Sequence, residues 1–283
     1  MWKTILDKHK LRRPKISLLI PFHGRDKYRR KILRWVIKYM RNALPDCEII
    51  IGRAAGNPFC KTRAMNRAAR RANGKVLVIL DADAYIDADV IDRCADRIIE
   101  EQKEGNRLWF VPYRKLYRLT EAATLKVLGS APKFPYKFPT PPDACDVEST
   151  TKASYGHRYG AMIMMFPREA YNILGGFDER FVGWGGEDVA LLRSLDTLYA
   201  KHKSTRNQIL HLWHPRLGAS YREMKWAGQG WANANDRLAM KYHRATRMPA
   251  MMRLLGEESR KHRRNRRKIL KIIARAFVCG MDY

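Results

Sequence analysis

The stretch KVLVILDADAYI, residues 75–86, joins a short apolar run to two aspartates. Five consecutive apolar residues at 76–80 are typical of a strand buried on both faces of a sheet. Asp81 and Asp83 follow at once, and open α/β sheets bind ligands at the edge where parallel strands end. The stretch therefore predicts a buried strand that presents two carboxylates to a binding site, although D-A-D by itself also occurs by chance.

The same pattern repeats on both sides of this strand. Further buried strands are predicted at residues 15–22 and 47–52. Apolar residues at helical spacing predict helices at residues 27–44, 60–74 and 87–105, with Gly74 as the C-cap of the second. A strand and a helix follow within 159–177, and a last strand within 207–215. Strands that alternate with helices predict an α/β fold with a mainly parallel sheet flanked by helices.

The composition changes twice along the chain. Residues 112–156 hold five prolines between positions 132 and 142, and we expect a partly ordered insertion there. Residues 259–277 form a basic, amphipathic helix candidate. We predict one α/β domain at 1–215, carrying the insertion, and a basic helical extension at 216–283 that binds the acceptor or another polyanion.

The chain is strongly basic. It has 56 Lys and Arg against 28 Asp and Glu, a formal charge of +28. Such a charge attracts polyanions, either nucleic acid or an anionic membrane surface, and is unusual for an enzyme that handles only small neutral sugars. Basic clusters lie at residues 29–41, 63–75 and 260–275. The alternative is that these runs are merely solvated faces.

The cysteines and the N-terminus bear on the compartment. Five cysteines are present, an odd number, and none are at C-x-x-C spacing, so neither a disulfide framework nor a zinc knuckle is expected. The first 15 residues lack the apolar core of a signal peptide, and no run of 18 apolar residues occurs. We expect a cytoplasmic protein without a transmembrane helix; for a viral protein this is the host cytoplasm.

Two other stretches carry candidate chemistry. In FDERFVGWGGEDVALLRSL, residues 177–195, Glu187 and Asp188 follow a Trp-Gly-Gly turn, where they suit either a helix start or a site. His211 and His214 end the last predicted strand, as metal ligands or as a capped strand end with a core histidine. Together with an aspartate they would form a mixed oxygen and nitrogen site that suits Mn²⁺.

Five motifs together resemble the GT-A glycosyltransferases, above all the β-1,4-galactosyltransferase group and the polypeptide GalNAc-transferases. They are PFHGR (21–25), FCKTRAMN (59–66), DAD (81–83), GGFDERFVGWGGED (175–188) and HLWH (211–214). The resemblance covers roughly residues 15–215. It implies a Rossmann-like GT-A fold and a metal-dependent, inverting transfer of a sugar from a nucleotide-sugar, a UDP-sugar first, with Mn²⁺ ahead of Mg²⁺.

The resemblance also implies a role for each matching residue. The nucleotide would contact Pro21, Phe22, Arg25, Phe59 and Lys61, the last standing where the galactosyltransferases often have arginine. Asp81 would lie near the ribose, and Asp83 would bind the metal with His214 as the stronger and His211 as the weaker imidazole ligand. Trp184, Gly185 and Glu187 would shape the sugar pocket. Asp188 would be the catalytic base, kept ionised at pH 7 by the dipole of the helix it begins.

The acceptor has to be inferred from charge. We expect DNA, and because ordinary bases offer no alcohol, the target would be a hydroxylated pyrimidine, flipped into the pocket where necessary. Viruses of bacteria carry enzymes of that type. Two alternatives stay open: a cell-envelope glycosyltransferase at an anionic membrane surface, and a non-catalytic nucleic-acid-binding protein on the same fold.

Overall fold

The computed structural model describes residues 14–24, 26–56, 59–136, 138, 142–152, 162–183, 185–215 and 231–258. The strands are β1 (Ile16–Pro21), β2 (Glu48–Gly52), β3 (Val76–Leu80), β4 (Ala84–Tyr85), β5 (Phe110–Val111), β6 (Lys115–Leu119), β7 (Val147–Lys152), β8 (Ile163–Pro167), β9 (Lys203–Ser204) and β10 (Gln208–His211). The helices are α1 (Lys27–Ala43), α2 (Lys61–Arg71), α3 (Ala88–Lys103), α4 (Glu121–Gly129), α5 (Arg168–Leu174), α6 (Glu187–Leu198), α7 (Trp231–Arg244) and α8 (Met248–Glu258).

The central sheet has six strands in the order β2-β1-β3-β8-β5-β9. β1 is parallel to both β2 and β3, whereas β8 is antiparallel to β3 and β5. The predicted α/β fold with helices around a mainly parallel sheet is confirmed, with β8 as the reversed strand. All five residues of β8 are buried, and a fully buried apolar strand has no alternation from which its direction could be predicted.

A second, four-stranded sheet has the order β4-β10-β6-β7. β10 is antiparallel to β4, with His211 opposite Ala84, and parallel to β6. Residues 112–156, predicted as a partly ordered insertion, supply β6, α4 and β7 of this layer. The segment therefore supports the strand that ends at His211.

The end of α2 differs from the prediction. The helix ends at Arg71, and the N–H of Ala72, not of Gly74, bonds back to the last helical carbonyls. Gly74 instead passes close to β1, where an added Cβ would lie 2.4 Å from the backbone nitrogen of Ser17. A glycine is needed here for close approach of two backbones rather than for helix termination.

An aromatic group joins α1 to β4. Trp35 and Tyr39 of α1 pack against Tyr85 of β4 and against Tyr136, with ring centroids 5.0–6.4 Å apart. The Tyr85 hydroxyl donates to the Tyr136 carbonyl at 2.8 Å. Because β4 begins one residue after Asp83, this packing fixes α1 relative to that carboxylate.

The two C-terminal helices of the described chain pack on α6. The predicted division between residues 215 and 216 stays a prediction, and the basic helix predicted at 259–277 lies outside the described residues. Throughout the part of the chain that the structure describes, no helix combines the length and the apolar character that crossing a membrane requires.

Candidate active site

The first half of the glycine-rich segment 175–188 is held by α2. Asn66 accepts the N–H of Phe177 and donates to the carbonyl of the same residue, both at 2.9 Å. Gly176 has φ +97, and a Cβ there would lie 2.5 Å from Oδ1 of Asn66. Both the backbone conformation and the contact require glycine at this position.

The second half of the segment is held by α7. The side chain of Asn235 donates to the carbonyl of Val182 at 2.8 Å and accepts its N–H at 3.3 Å. Gly186, with φ +87, directly precedes α6, and a Cβ there would lie 2.8 Å from Cβ of Ala239. The turn that delivers Glu187 and Asp188 is therefore packed between α2 and α7.

Lys61 lies among three carboxylates. Its Nζ is 2.9 Å from Oδ1 of Asp81, 2.9 Å from Oδ2 of Asp188 and 3.5 Å from Oε1 of Glu187. Glu187 turns back, so that its other oxygen accepts the N–H of Gly185 at 3.0 Å. Asp81 at the end of β3 and Asp188 at the start of α6 thus share one ammonium group. The predicted nucleotide contact of Lys61 stays a prediction.

The electrostatics of this cluster correct one expectation. Burial raises the pKa of Asp188 to about 8, and repulsion from Glu187 and Asp81 adds to the effect against the attraction of Lys61. Burial likewise raises the pKa of Asp81. We expected the helix dipole to keep Asp188 ionised at pH 7; burial instead favours the protonated carboxyl in the free protein, against the effect of the helix start.

Asp83, His211 and His214 form a second cluster, whose ligand atoms all lie within 4.8 Å of one another. Nε2 of His214 is 3.1 Å from Oδ2 of Asp83. The N–H of Leu212 donates to the carbonyl of Asp83 at 2.8 Å, so the two chain segments are joined beside the cluster. The sequence predicted this grouping, and the structure brings the three residues together.

The donor chemistry of this cluster suits a divalent metal ion. Burial alone would raise the pKa of Asp83, but the hydrogen bond with His214 and the positive charge of Arg29 hold it well below its usual range. Burial lowers the pKa of His211, which favours the neutral imidazole. An ionised carboxylate beside neutral imidazole is the form in which these groups bind metal ions.

The total charge points the same way. Asp81, Asp83, Glu187 and Asp188 would carry −4 when ionised, and Lys61 and Arg29 carry +2, which leaves −2. Buried charge of one sign is costly unless it is paired or protonated. With all four carboxylates ionised, one divalent cation would balance the charge of the two clusters together.

Two residues of the site escaped the sequence reasoning. Nη2 of Arg29, in the first turn of α1, is 3.2 Å from Oδ2 of Asp83. Tyr113 is buried near the other cluster; burial, aided by the charges of Asp188 and Asp81, raises the pKa of Tyr113 to about 12. Neither residue belongs to a motif. The only signal for Arg29 was its place in a basic cluster.

The remaining predicted residues lie at the same edge of the central sheet or outside the described chain. Pro21 ends β1, and the N–H of Phe22 donates to the carbonyl of Gly52 at 3.0 Å. Phe59 stacks on His23 with ring centroids 5.1 Å apart. Arg25 and Trp184 lie outside the described residues.

The central sheet flanked by helices agrees with the GT-A fold that the motif resemblance implied. The chain matches the model of the family described as glycosyltransferase like family 2 over residues 47–229, more than half of its length, and it belongs to that family. No curated protein matches the sequence.

The chain is similar to several solved structures. The catalytic domain of Drosophila β1,4-galactosyltransferase 7, in complex with xylobiose, is 15% identical with a TM-score of 0.41 and 71% of each chain covered. The mannosyltransferase PcManGT from Pyrobaculum calidifontis, with GDP-Man and Mn²⁺, is 13% identical with a TM-score of 0.45, covering 99% of this chain and 82% of that one. GalNAc-T7 with UDP, GalNAc and Mn²⁺ is 13% identical with a TM-score of 0.45, covering 84% and 50%.

Proposed function

We propose that this glycosyltransferase is metal-dependent and inverting, and that it moves a sugar from a nucleotide-sugar to a hydroxyl group. One observation carries the proposal: a cluster of metal-binding character at Asp83 adjoins a carboxylate cluster at Asp188. Asp81 links them, because it is two residues from Asp83 and shares Lys61 with Asp188. In this proposal the first cluster binds the donor and the second supplies the base, side by side at one edge of the sheet.

Asp83, His211 and His214 would hold the metal ion, with Mn²⁺ as the first candidate because the site mixes oxygen and nitrogen ligands. When bound, the ion would supply positive charge that stabilises the leaving diphosphate. Phe22 and Phe59 lie at the neighbouring end of β1 and suit contacts with the nucleotide, together with Pro21. The motif resemblance favours a UDP-sugar as the donor.

Asp188 would act as the general base. It begins α6 beside Glu187, and its carboxylate is held by Lys61 at 2.9 Å. Once ionised, the carboxylate can take the proton of the acceptor hydroxyl as that oxygen attacks the anomeric carbon, on the face opposite the leaving group. Glu187 is occupied with the N–H of Gly185, which leaves Asp188 the better-placed base.

For the acceptor we propose a polyanion, and first a hydroxylated pyrimidine in DNA, as in the DNA-modifying enzymes of bacteriophages. The exposed faces of two helices support it. α1 exposes Lys27, Arg30, Lys31, Arg34, Lys38 and Arg41, α2 exposes Arg63, Arg67, Arg70 and Arg71, and neither helix contains an acidic residue. Rows of cations of this kind suit a phosphate backbone. We also propose that the protein acts in the cytoplasm, where it would meet DNA.

One experiment tests the reaction and the acceptor together. Purified protein is incubated with Mn²⁺, a panel of nucleotide-sugars and either hydroxymethylated or plain DNA, and the digested nucleosides are weighed by mass spectrometry. A sugar added only to hydroxymethylated DNA supports the proposal. Donor hydrolysis without DNA transfer, combined with tight binding to anionic vesicles, would favour the cell-envelope alternative. No hydrolysis of any donor would favour a non-catalytic binding protein.

A further inference from the structure

Arg29 reaches the metal-binding cluster from a different part of the chain. The side chain of Asp26 caps α1 by accepting the N–H groups of Tyr28 and Arg29, at 2.6 and 3.1 Å. The guanidinium of Arg29 contacts Asp83, which lies 54 residues later in the sequence. The start of α1 therefore lies beside the end of β3. The aromatic packing of α1 against β4 holds this arrangement.

Arg29 and His214 contact the same carboxylate oxygen. Oδ2 of Asp83 is 3.2 Å from Nη2 of Arg29 and 3.1 Å from Nε2 of His214. A metal ion bound by Asp83 and the histidines would consequently lie close to a permanent positive charge. Like charges at such separations repel, so the guanidinium opposes the binding of the bare ion.

The same guanidinium has binding capacity left over. Within the described part of the chain Asp83 is its one partner, and its side chain is 28% exposed. Arginine offers five N–H donors in a planar fork that matches phosphate oxygens. A diphosphate bound to the metal would bring negative charge to these donors and relieve the repulsion.

We propose that Arg29 is a diphosphate-binding residue that makes the metal site prefer the metal–nucleotide complex over the bare metal ion. The inference rests on the proposed function, since it takes Asp83 and the histidines as the metal ligands. Arg29 opposes the first ligand alone and favours both together, so it couples the two binding events in the sense of positive cooperativity.

The test compares Arg29→Gln with wild type by calorimetric titration. Mn²⁺ alone is titrated first, and then UDP, GDP, CDP and ADP are titrated in saturating Mn²⁺. We expect the variant to bind Mn²⁺ at least about threefold more tightly, because a repulsive charge is gone. We expect it to bind the preferred nucleoside diphosphate roughly 10- to 100-fold more weakly, because charge-assisted hydrogen bonds are lost.

Two further variants make the result specific. Arg29→Lys keeps the charge but loses the fork, so it should retain weak Mn²⁺ binding and only part of the nucleotide affinity. Arg93→Gln removes an exposed arginine of α3, away from the site and from the proposed acceptor surface, and should change neither constant. Thermal melts of all three confirm that the fold is intact.

The inference requires that Arg29→Gln change the Mn²⁺ affinity and the nucleotide affinity in opposite directions. If Arg29→Gln weakens both ligands alike, strengthens both, or changes neither, Arg29 is a structural partner of Asp83 and the inference is wrong while the proposed function stands. If wild type binds neither Mn²⁺ nor any of the four nucleotides, the proposed function and this inference fail together.

Discussion

Replacing Asp188 by asparagine separates the charge of this side chain from its shape. In the free protein, burial raises the pKa of Asp188 from the ordinary 3.8 to about 8. Between these values the folded protein keeps a proton that the unfolded chain releases. The stability that depends on this proton is therefore complete below about pH 4 and is lost as the pH rises toward 8.

The size of the effect follows from the shift. A difference of roughly four pH units, at 1.36 kcal/mol each, bounds the loss at about 6 kcal/mol. The cluster can relax when the carboxylate ionises, so we expect on the order of 2 kcal/mol. Asparagine keeps the shape without the charge, and Lys61 retains Asp81 and Glu187. At about pH 8 without metal, the variant should exceed wild type in unfolding free energy by that amount.

Urea unfolding in chelator at several pH values measures this difference, with Asp46→Asn, at an exposed position, as the matched control. The same variant should lose transfer by about 10²–10⁴-fold, because an amide cannot accept the proton. A pH dependence identical to that of wild type would refute the argument from buried charge. Near-normal turnover would move the catalytic base to Glu187.

Three other outcomes are expected. Chelation should abolish donor binding and Mn²⁺ should restore it, and full activity in excess chelator would exclude the metal site. His214→Ala should weaken Mn²⁺ binding more than His211→Ala, because His214 directly contacts Asp83. Gly176→Ala should lower the unfolding free energy by about 2 kcal/mol or more, measured in urea, since it combines a positive φ with a clash against Asn66. If six phosphates are contacted, raising salt from about 50 to 200 mM should weaken DNA binding by roughly 10³-fold, and a flat salt profile would contradict the DNA proposal.

Local pattern was enough to predict much of the fold and of the site. The end of β3 could be predicted because five consecutive apolar residues are followed directly by Asp81. The grouping of Asp83 with His211 and His214 followed from the carboxyl ends of two strands, as the motif resemblance also implied. What these features share is that chemistry and secondary structure coincide within a few residues.

Features that depend on distant neighbours could not be predicted. The direction of β8 is set by its partners in the sheet, and the contact of Arg29 with Asp83 depends on how α1 packs. Burial raises the proton affinity of Asp188, against the expectation from its position at a helix start, and repulsion from Glu187 and Asp81 adds to the effect. Helix propensity and dipole act locally, whereas burial is decided by the whole fold.

The helices after residue 230 support the turn that carries Glu187 and the proposed base Asp188. The side chain of Asn235 hydrogen-bonds both the N–H and the carbonyl of Val182, and Ala239 leaves room only for glycine at position 186. Earlier in the same segment, Arg180 forms an ion pair with Asp178. The carboxylate of Asp178 also accepts the hydroxyl of Tyr242 in α7 at 2.8 Å. These contacts attach residues 178–186, which lead into Glu187 and Asp188, to α7. A displacement of α7 would therefore move the proposed base. The extension predicted to bind the acceptor thus also packs against the turn of Asp188, the residue that we propose as the base.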